Sequence, residues 1–302
     1  MSCISQAPKL RAMEILRRQI EKQVHSLTGA SLGVLDLDQP RGDAGLFGPE
    51  SMVWEVHADF TAMMVGGISA LLLQMLHPLA LAGVWDHSTF RQDMLGRLRR
   101  TSLFIAGTSY GGLHDAEQLI DKVRRIHLKV VGQAADGRPY AASDPALLTW
   151  VHVSEVSQFL AGYLRYVDAQ LPQAEQDRYY REVALIAERL GAQDVPKSTQ
   201  AIADYLQHMR SQLLCDERTR EVVRLLYDAP MPSILAKPFG GLMMQAGVDL
   251  LPDWASDLLG EHQAAWRRPL IRASVQRTAN LLRWAVRNSA AQRARRRLLA
   301  DT

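Results

Sequence analysis

Residues 61–84 read TAMMVGGISALLLQMLHPLALAGV. The run holds no Asp, Glu, Lys or Arg, and it is long enough to cross a bilayer as a helix of about 20 residues. Its interior nevertheless carries Gln74, His77 and Pro78, with Gly66 and Gly67 near the start. Such a run favours a helix that is apolar all round because it lies at the centre of a large domain. A membrane-spanning helix is the alternative that the sequence leaves open. Pro78 is expected to kink or end the helix just after His77.

Helical signals continue on both sides. Upstream, residues 9–25 are periodic, 29–49 read as a Gly, Asp and Pro-rich arm, and Pro49–Glu50 favours a helix start that turns Trp54 inward. Downstream, GVWDHS reads as a turn, 89–106 as a helix, GTSYGG (107–112) as a break, and 115–131 as a helix capped at Gly132. Asp144 and Pro145 supply a cap and a first-turn proline for a helix over 146–169. Further helices are expected over 173–190, 198–214, 216–228, 231–246, 252–266 and the tail. No alternating strand runs and no glycine-rich nucleotide loop interrupt the pattern, so the predicted fold is all-α, a single large helical domain. The expected organisation is an N-terminal helix and arm (1–44), a helical catalytic domain (45–270) and a basic helical tail (271–302).

At 302 residues with 47% hydrophobic content, the chain can bury one sizeable core. Cys3 and Cys215 are its two cysteines, which excludes a disulfide scaffold or a cysteine-rich metal site. With no secretory signal legible at the start, the expected location is cytoplasmic. The net charge of +3 hides an asymmetry: residues 263–300 carry ten arginines and no acid, leaving about −7 for the rest. A solvated arginine-rich helix is the plain reading, and peripheral contact with anionic lipid is the alternative. No recognition motif accompanies the charge, so no specific nucleic-acid partner is expected. Serine hydrolysis and phosphate chemistry lack their motifs, GxSxG and GxxxxGK[ST].

Among candidate site residues, His127 shares a helical stripe with Ile120 and Val123, so its imidazole is expected on the apolar side. A hydrogen-bonded core histidine, a metal or haem ligand, and an acid or base all fit that placement. Arg97 and Thr101 lie four apart on one face, with Arg100 beside them, and could equally be surface residues. His77 and His87, with His127 or His152 and a carboxylate such as Asp86 or Glu155, permit a rival non-haem site without any compact HExxH spacing.

The segments GLFGPESMVWEVHAD, ALLLQMLHPLALAGVWDHSTF, RLRRTSLFIAGTSYG, VRRIHLKVVG and YAASDPALLTWVH, in this order, resemble a bacterial and fungal oxygenase family once grouped as a domain of unknown function. It includes latex-clearing rubber oxygenases and a fungal oxygenase that cleaves a farnesyl chain in mycophenolic acid synthesis. The resemblance covers roughly 45–270.

It implies an all-helical domain enclosing one haem b, dioxygen as co-substrate and an apolar, isoprenoid or lipid-like small molecule as substrate. The family's iron ligand falls on His127 and its nearby arginine on Arg124, while the distal Arg-x-x-x-Thr pattern of the rubber-cleaving branch falls on Arg97 and Thr101. Where that branch has lysine before the threonine, this chain has Arg100, a larger group that holds its proton more firmly. His152 and Trp150, in the TWVH segment, are implied as pocket support, with His152 on the cofactor side. Met63, Leu72, Met75 and Leu76 are expected to line an apolar channel. Oxidative cleavage of a carbon–carbon double bond is the leading reaction. Hydroxylation, dehydrogenation or non-catalytic haem or lipid binding are the alternatives.

Overall fold

The computed structural model describes residues 7–28, 35–230 and 236–299. Cys3, residues 29–34 of the arm and the predicted helix start at 231–235 lie outside the described residues. The chain is predominantly helical: α1 (Ala7–Thr28), α2 (Met52–Val56), α3 (Phe60–Gln74), α4 (Pro78–His87), α5 (Met94–Tyr110), α6 (Leu113–His127), α7 (Pro145–Tyr166), α8 (Gln173–Leu190), α9 (Thr199–Met209), α10 (Glu217–Tyr227), α11 (Lys237–Leu250), α12 (Asp253–Leu259), α13 (Arg267–Ala285) and α14 (Ala290–Leu298). One small antiparallel hairpin, β1 (Val131–Gln133) and β2 (Pro139–Ala141), pairs Gly132 with Tyr140.

The charge-free segment forms the centre of the core. Asp59 caps α3 by accepting from the Ala62 N–H at 2.8 Å, and α3 ends at Gln74. His77 caps α4, Pro78 takes its first turn, and the two axes differ by 104°. Among the described residues no single helix is long and apolar enough to cross a membrane, although this bent pair passes that test by composition. α3 crosses α7 with almost no separation. A Cβ on Gly66 would lie 2.7 Å from the Gln158 carbonyl oxygen, and one on Gly162 would lie 2.6 Å from that of Ala62. Ser69 donates to Gln158 Oε1 at 2.8 Å inside that contact, so the buried polar atoms there are matched.

Leu72, Met75 and Leu76 pack with Trp150, Met209, Val223 and Met244 in the main core, and Met63 packs against the neighbouring cluster of Val156 and Phe159. Leu72, Met75 and Leu76, buried in that packing, therefore do not line an open channel, whereas Met63 is half-buried. Three local expectations are also corrected. GVWDHS is helical to His87, since buried Leu81 and Ala82 anchor that turn against the core. GTSY stays helical, and the break is confined to Gly111–Gly112. Gly132 is not a helix cap: α6 ends at His127 and Gly132 lies in β1, pressed against the Tyr140 ring where a side chain would not fit.

The expected division at residue 270 falls within α13. Much of the tail's charge is spent on the body of the protein. Arg283 bonds Asp59, Arg293 bonds Asp36 and Asp38, Arg296 bonds Asp38, and Arg268 and Arg272 join Arg165 around the buried carboxylate of Asp249. Arg297 is fully buried.

Candidate active site

α5 and α6 leave the Gly111–Gly112 corner as two arms of a helical hairpin. Near the corner they touch: Gly107 backs directly onto the Leu119 side chain, which leaves no space for a Cβ. Beyond that contact the packing opens. None of residues 95–106 on α5 and none of 121–130 after Ile120 on α6 is buried, although Leu95, Leu98, Leu103, Phe104, Ile105, Val123 and Ile126 are among them. Leu98 packs against the main core and Phe104 and Ile105 against the cluster of Val156 and Phe159, while Ile126 stays exposed.

His127 sits at the open end of α6, in line with Ala116, Ile120 and Val123 on its inner face. Its Nδ1 is buried without a hydrogen-bond partner, and burial lowers its pKa, so the imidazole is neutral, the form that ligates metals. Counting eight residues outward from the Gly107–Leu119 contact along each arm puts His127 level with Arg99, about 12 Å from the contact.

On the α5 side, Arg97 is drawn inward. Burial, and secondarily the charge of Arg100, push its pKa down to about 10. Its backbone N–H bonds the Asp93 carbonyl, and its side chain makes no ion pair or hydrogen bond among the described residues. Arg100 and Thr101 are exposed, with Arg100 3.6 Å from Asp93. Arg124 is also exposed, 4.0 Å from Asp121. His127 is thus level with Arg99, two residues from Arg97, while Arg100, Thr101 and Arg124 are exposed.

His152 occupies a second, deeper place. With His57, Thr108, Glu155, Phe104, Ile105 and Phe159 it lines a cavity between α5, α7 and α8, open to the centre of a water-sized sphere over about 30 Å³. His152 Nε2 is buried and unpartnered, and burial lowers its pKa to about 4. Phe104 and Ile105 carry the cavity wall toward Arg97, seven and eight residues away on α5. Trp150, one turn before Ser154, donates from Nε1 to the Gln74 carbonyl at 3.3 Å and stacks near His77.

A scan of family models matches residues 54–287 to "ER-bound oxygenase mpaB/B'/Rubber oxygenase, catalytic domain". The chain belongs to this family. Its members are haem-dependent oxygenases of apolar substrates, and the mpaB/rubber-oxygenase domain accounts for the helical core from Trp54 through α13. No curated protein and no solved structure matched the chain.

The residues of this mpaB/rubber-oxygenase domain fit a haem group. An orphaned imidazole nitrogen on His127 needs a partner, the half-covered faces of α5 and α6 offer apolar walls, and Arg97 offers an unpaired cation. The rival non-haem constellation is not assembled. Among the described residues no three His, Cys, Asp or Glu converge as a metal cluster. Asp86 accepts from the Tyr140 hydroxyl at 2.6 Å, His87 contacts the Val131 carbonyl and His77 caps α4.

Sequence reasoning missed His57 entirely. It bridges Ser109 Oγ (2.8 Å, Nδ1) and the Tyr179 hydroxyl (2.9 Å, Nε2) in the interior, and burial lowers its pKa to about 3. The partners stand 52 and 122 positions away in sequence, so no local pattern announces them.

Proposed function

We propose that this protein is a haem b oxygenase that cleaves a carbon–carbon double bond of an apolar, isoprenoid or lipid-like substrate with dioxygen. We place the cofactor cleft between the half-covered stretches of α5 and α6, and the observation that carries the reading is His127, whose ring nitrogen is buried and unpartnered in a chain of this family.

When bound, haem supplies the redox-active iron that dioxygen chemistry on an unactivated alkene requires. His127 would hold that iron as a neutral ligand, the pKa lowered by burial keeping protons from competing for the nitrogen. Arg97 directs charge-assisted hydrogen bonds into the cleft, where the low dielectric strengthens them. Leu98, Phe104 and Ile105 present apolar surface to the substrate chain and exclude water. Arg100 and Thr101 form the outer edge, and Arg124 and His152 support the cofactor side from the rim and the interior. Placing both oxygen atoms of O2 on the two alkene carbons and breaking the bond between them gives two carbonyl groups, a stoichiometry that needs no external reductant.

The exposed face of α13, with Trp266 at 68% exposure, Leu270, Arg277 and Leu281, suits peripheral contact with an anionic membrane from the cytoplasm. It would bring the cleft to a lipid-dissolved substrate.

The test is an absorption spectrum after haem addition, alongside His127→Ala, followed by oxygen uptake and ¹⁸O₂ product analysis with isoprenoid alkenes. A stoichiometric Soret band lost in His127→Ala, and two ¹⁸O-labelled carbonyl fragments, are expected. Absence of specific haem binding by folded protein overturns the reading. Hydroxylated product without chain cleavage overturns the reaction.

A further inference from the structure

A second cavity lies where the turn into α3 faces the junction of α13 and α14, and it is open to the centre of a water-sized sphere over about 240 Å³. Phe60, Leu282 and Val286 give it apolar walls. Asp59 and Arg283 also line it but are spent on each other. The Arg283 Nε donates to Asp59 Oδ2 at 2.6 Å while Oδ1 caps α3, so the pair adds no net charge. The unspent polar groups are on Thr61, Ser289 and Gln292. Thr61 is 1% exposed, and its hydroxyl is neither hydrogen-bonded among the described residues nor sealed from solvent. Ser289 Oγ accepts from the Gln292 N–H at 3.3 Å, and Gln292 Oε1 accepts from the Ser289 N–H at 2.9 Å. That exchange leaves the Ser289 O–H and the Gln292 side-chain N–H groups free to donate. Ser289 caps α14, a helix of nine residues with no acid in its first turn, so no charge of its own answers the positive end of its dipole. Glu21 of α1, which accepts from the Arg287 N–H, is paired with Arg17.

We propose that this cavity binds a small organic carboxylate, held by donation from Thr61, Ser289 and Gln292 at the N-terminus of α14, with its apolar body against Phe60, Leu282 and Val286. Each unspent polar group can donate, and an ionised carboxylate only accepts. A negative acceptor is favoured at a helix N-terminus that carries no acid. The space is several times the roughly 30 Å³ that one water occupies, so a bare inorganic anion would leave the apolar walls wet. Ser289 and Gln292 lie beyond the matched residues 54–287, which places the polar end of the site on this chain's tail and outside the family domain. A ligand there ties the start of α14 to the start of α3 and so braces the helix that carries Arg297. The site is independent of the oxygenase reading.

Isothermal titration of the full chain with benzoate and with isovalerate, beside benzyl alcohol and inorganic phosphate, tests the site, and the ¹H–¹⁵N signal of the Gln292 side-chain amide locates it. At least one of the two acids should bind saturably at a single site and shift that amide. Benzyl alcohol, an apolar body without charge, and phosphate, a charge without an apolar body, should each bind at least about tenfold more weakly. Thr61→Val removes a hydroxyl that has no protein partner, so Tm should hold while the Kd for the acid rises about tenfold. Thr61→Ser should restore the affinity, and Gln292→Leu should weaken it. Saturable binding of neither acid, a Gln292 amide that does not move, equal affinity for benzyl alcohol or phosphate, or a wild-type Kd in Thr61→Val overturns the proposal.

Discussion

Replacing Gly66 with alanine tests whether the α3–α7 crossing is as close as described. The new Cβ would lie 2.7 Å from the Gln158 carbonyl oxygen and 3.0 Å from the Phe159 Cα, both backbone atoms that no rotamer change can withdraw. Forcing a methyl group into such packing costs about 1–3 kcal/mol, against about 1 kcal/mol gained by exchanging Gly for Ala in a helix interior. The net loss should be about 0–2 kcal/mol, which lowers Tm by as much as about 8 °C in a domain of this size. Gly241 supplies the control. It is also helical, on α11, but a Cβ there meets nothing within 4 Å, so Gly241→Ala should gain about 1 kcal/mol and raise Tm by about 2–4 °C. Differential scanning calorimetry of the two variants beside wild type gives the answer. Shifts in the same direction, or Gly66→Ala at or above Gly241→Ala, would refute the packing argument.

Arg297→Met removes a fully buried guanidinium that donates to the Asp43, Leu37, Tyr110 and Gly111 carbonyls. We expect a loss of about 3 kcal/mol and early proteolytic cleavage at α14, and wild-type denaturation midpoints would contradict this. His57 and His152, held neutral with pKa values near 3 and 4, remain unprotonated while the unfolded chain takes up protons below pH 6.5. Each therefore removes about 2 kcal/mol by pH 5. Glu155, raised to about 7, works in the opposite sense: its contribution is present below about 4.5 and lost as pH rises through 7. Urea midpoints should thus fall from pH 7 to pH 5, and fall more steeply in Glu155→Gln, an order whose reversal would show the assignments to be wrong. Partition onto anionic vesicles should drop several-fold in Trp266→Ala/Leu270→Ala, and equal partition would dismiss the α13 face as a membrane contact.

Much of the scaffold is legible locally. Asp144 and Pro145 mark the start of α7, and the Gly at 191 ends α8 where periodicity stops, because caps and periodicity are properties of neighbouring residues. The charge-free run announces a central helix for the same reason. The hairpin at 131–141 is not legible, since three-residue strands carry too few side chains to show alternation. At the site, His127 is proposed from its stripe and Arg97 from the family's Arg-x-x-x-Thr pattern. Glu155 enters only as one possible carboxylate among others, and Ser109 reads as a loop serine although the helix runs through it to Tyr110. Their importance comes from a cavity made by three helices, and no spacing within one helix encodes it. Arg297 is hidden in another way: in sequence it is one arginine in a cluster of three, and only burial separates it from its neighbours.

The distribution of packing shows which parts of the chain are held firmly and which are less covered. The α3–α7 crossing is fixed by glycines, so the wall carrying Trp150, His152 and Glu155 has little freedom to shift. The α5–α6 hairpin turns at the Gly111–Gly112 corner, and Arg297 holds that corner by donating to the Tyr110 and Gly111 carbonyls at the C-terminus of α5. A cation there also complements the helix dipole. The tail thus restrains the arms where they join, while the stretches bearing Arg97 and His127 have no buried residue of their own. Apolar helix faces left half-covered are unfavourable unless something else covers them. A flat apolar cofactor and an apolar chain, entering from that end, would complete the packing that the protein itself leaves unfinished between α5 and α6.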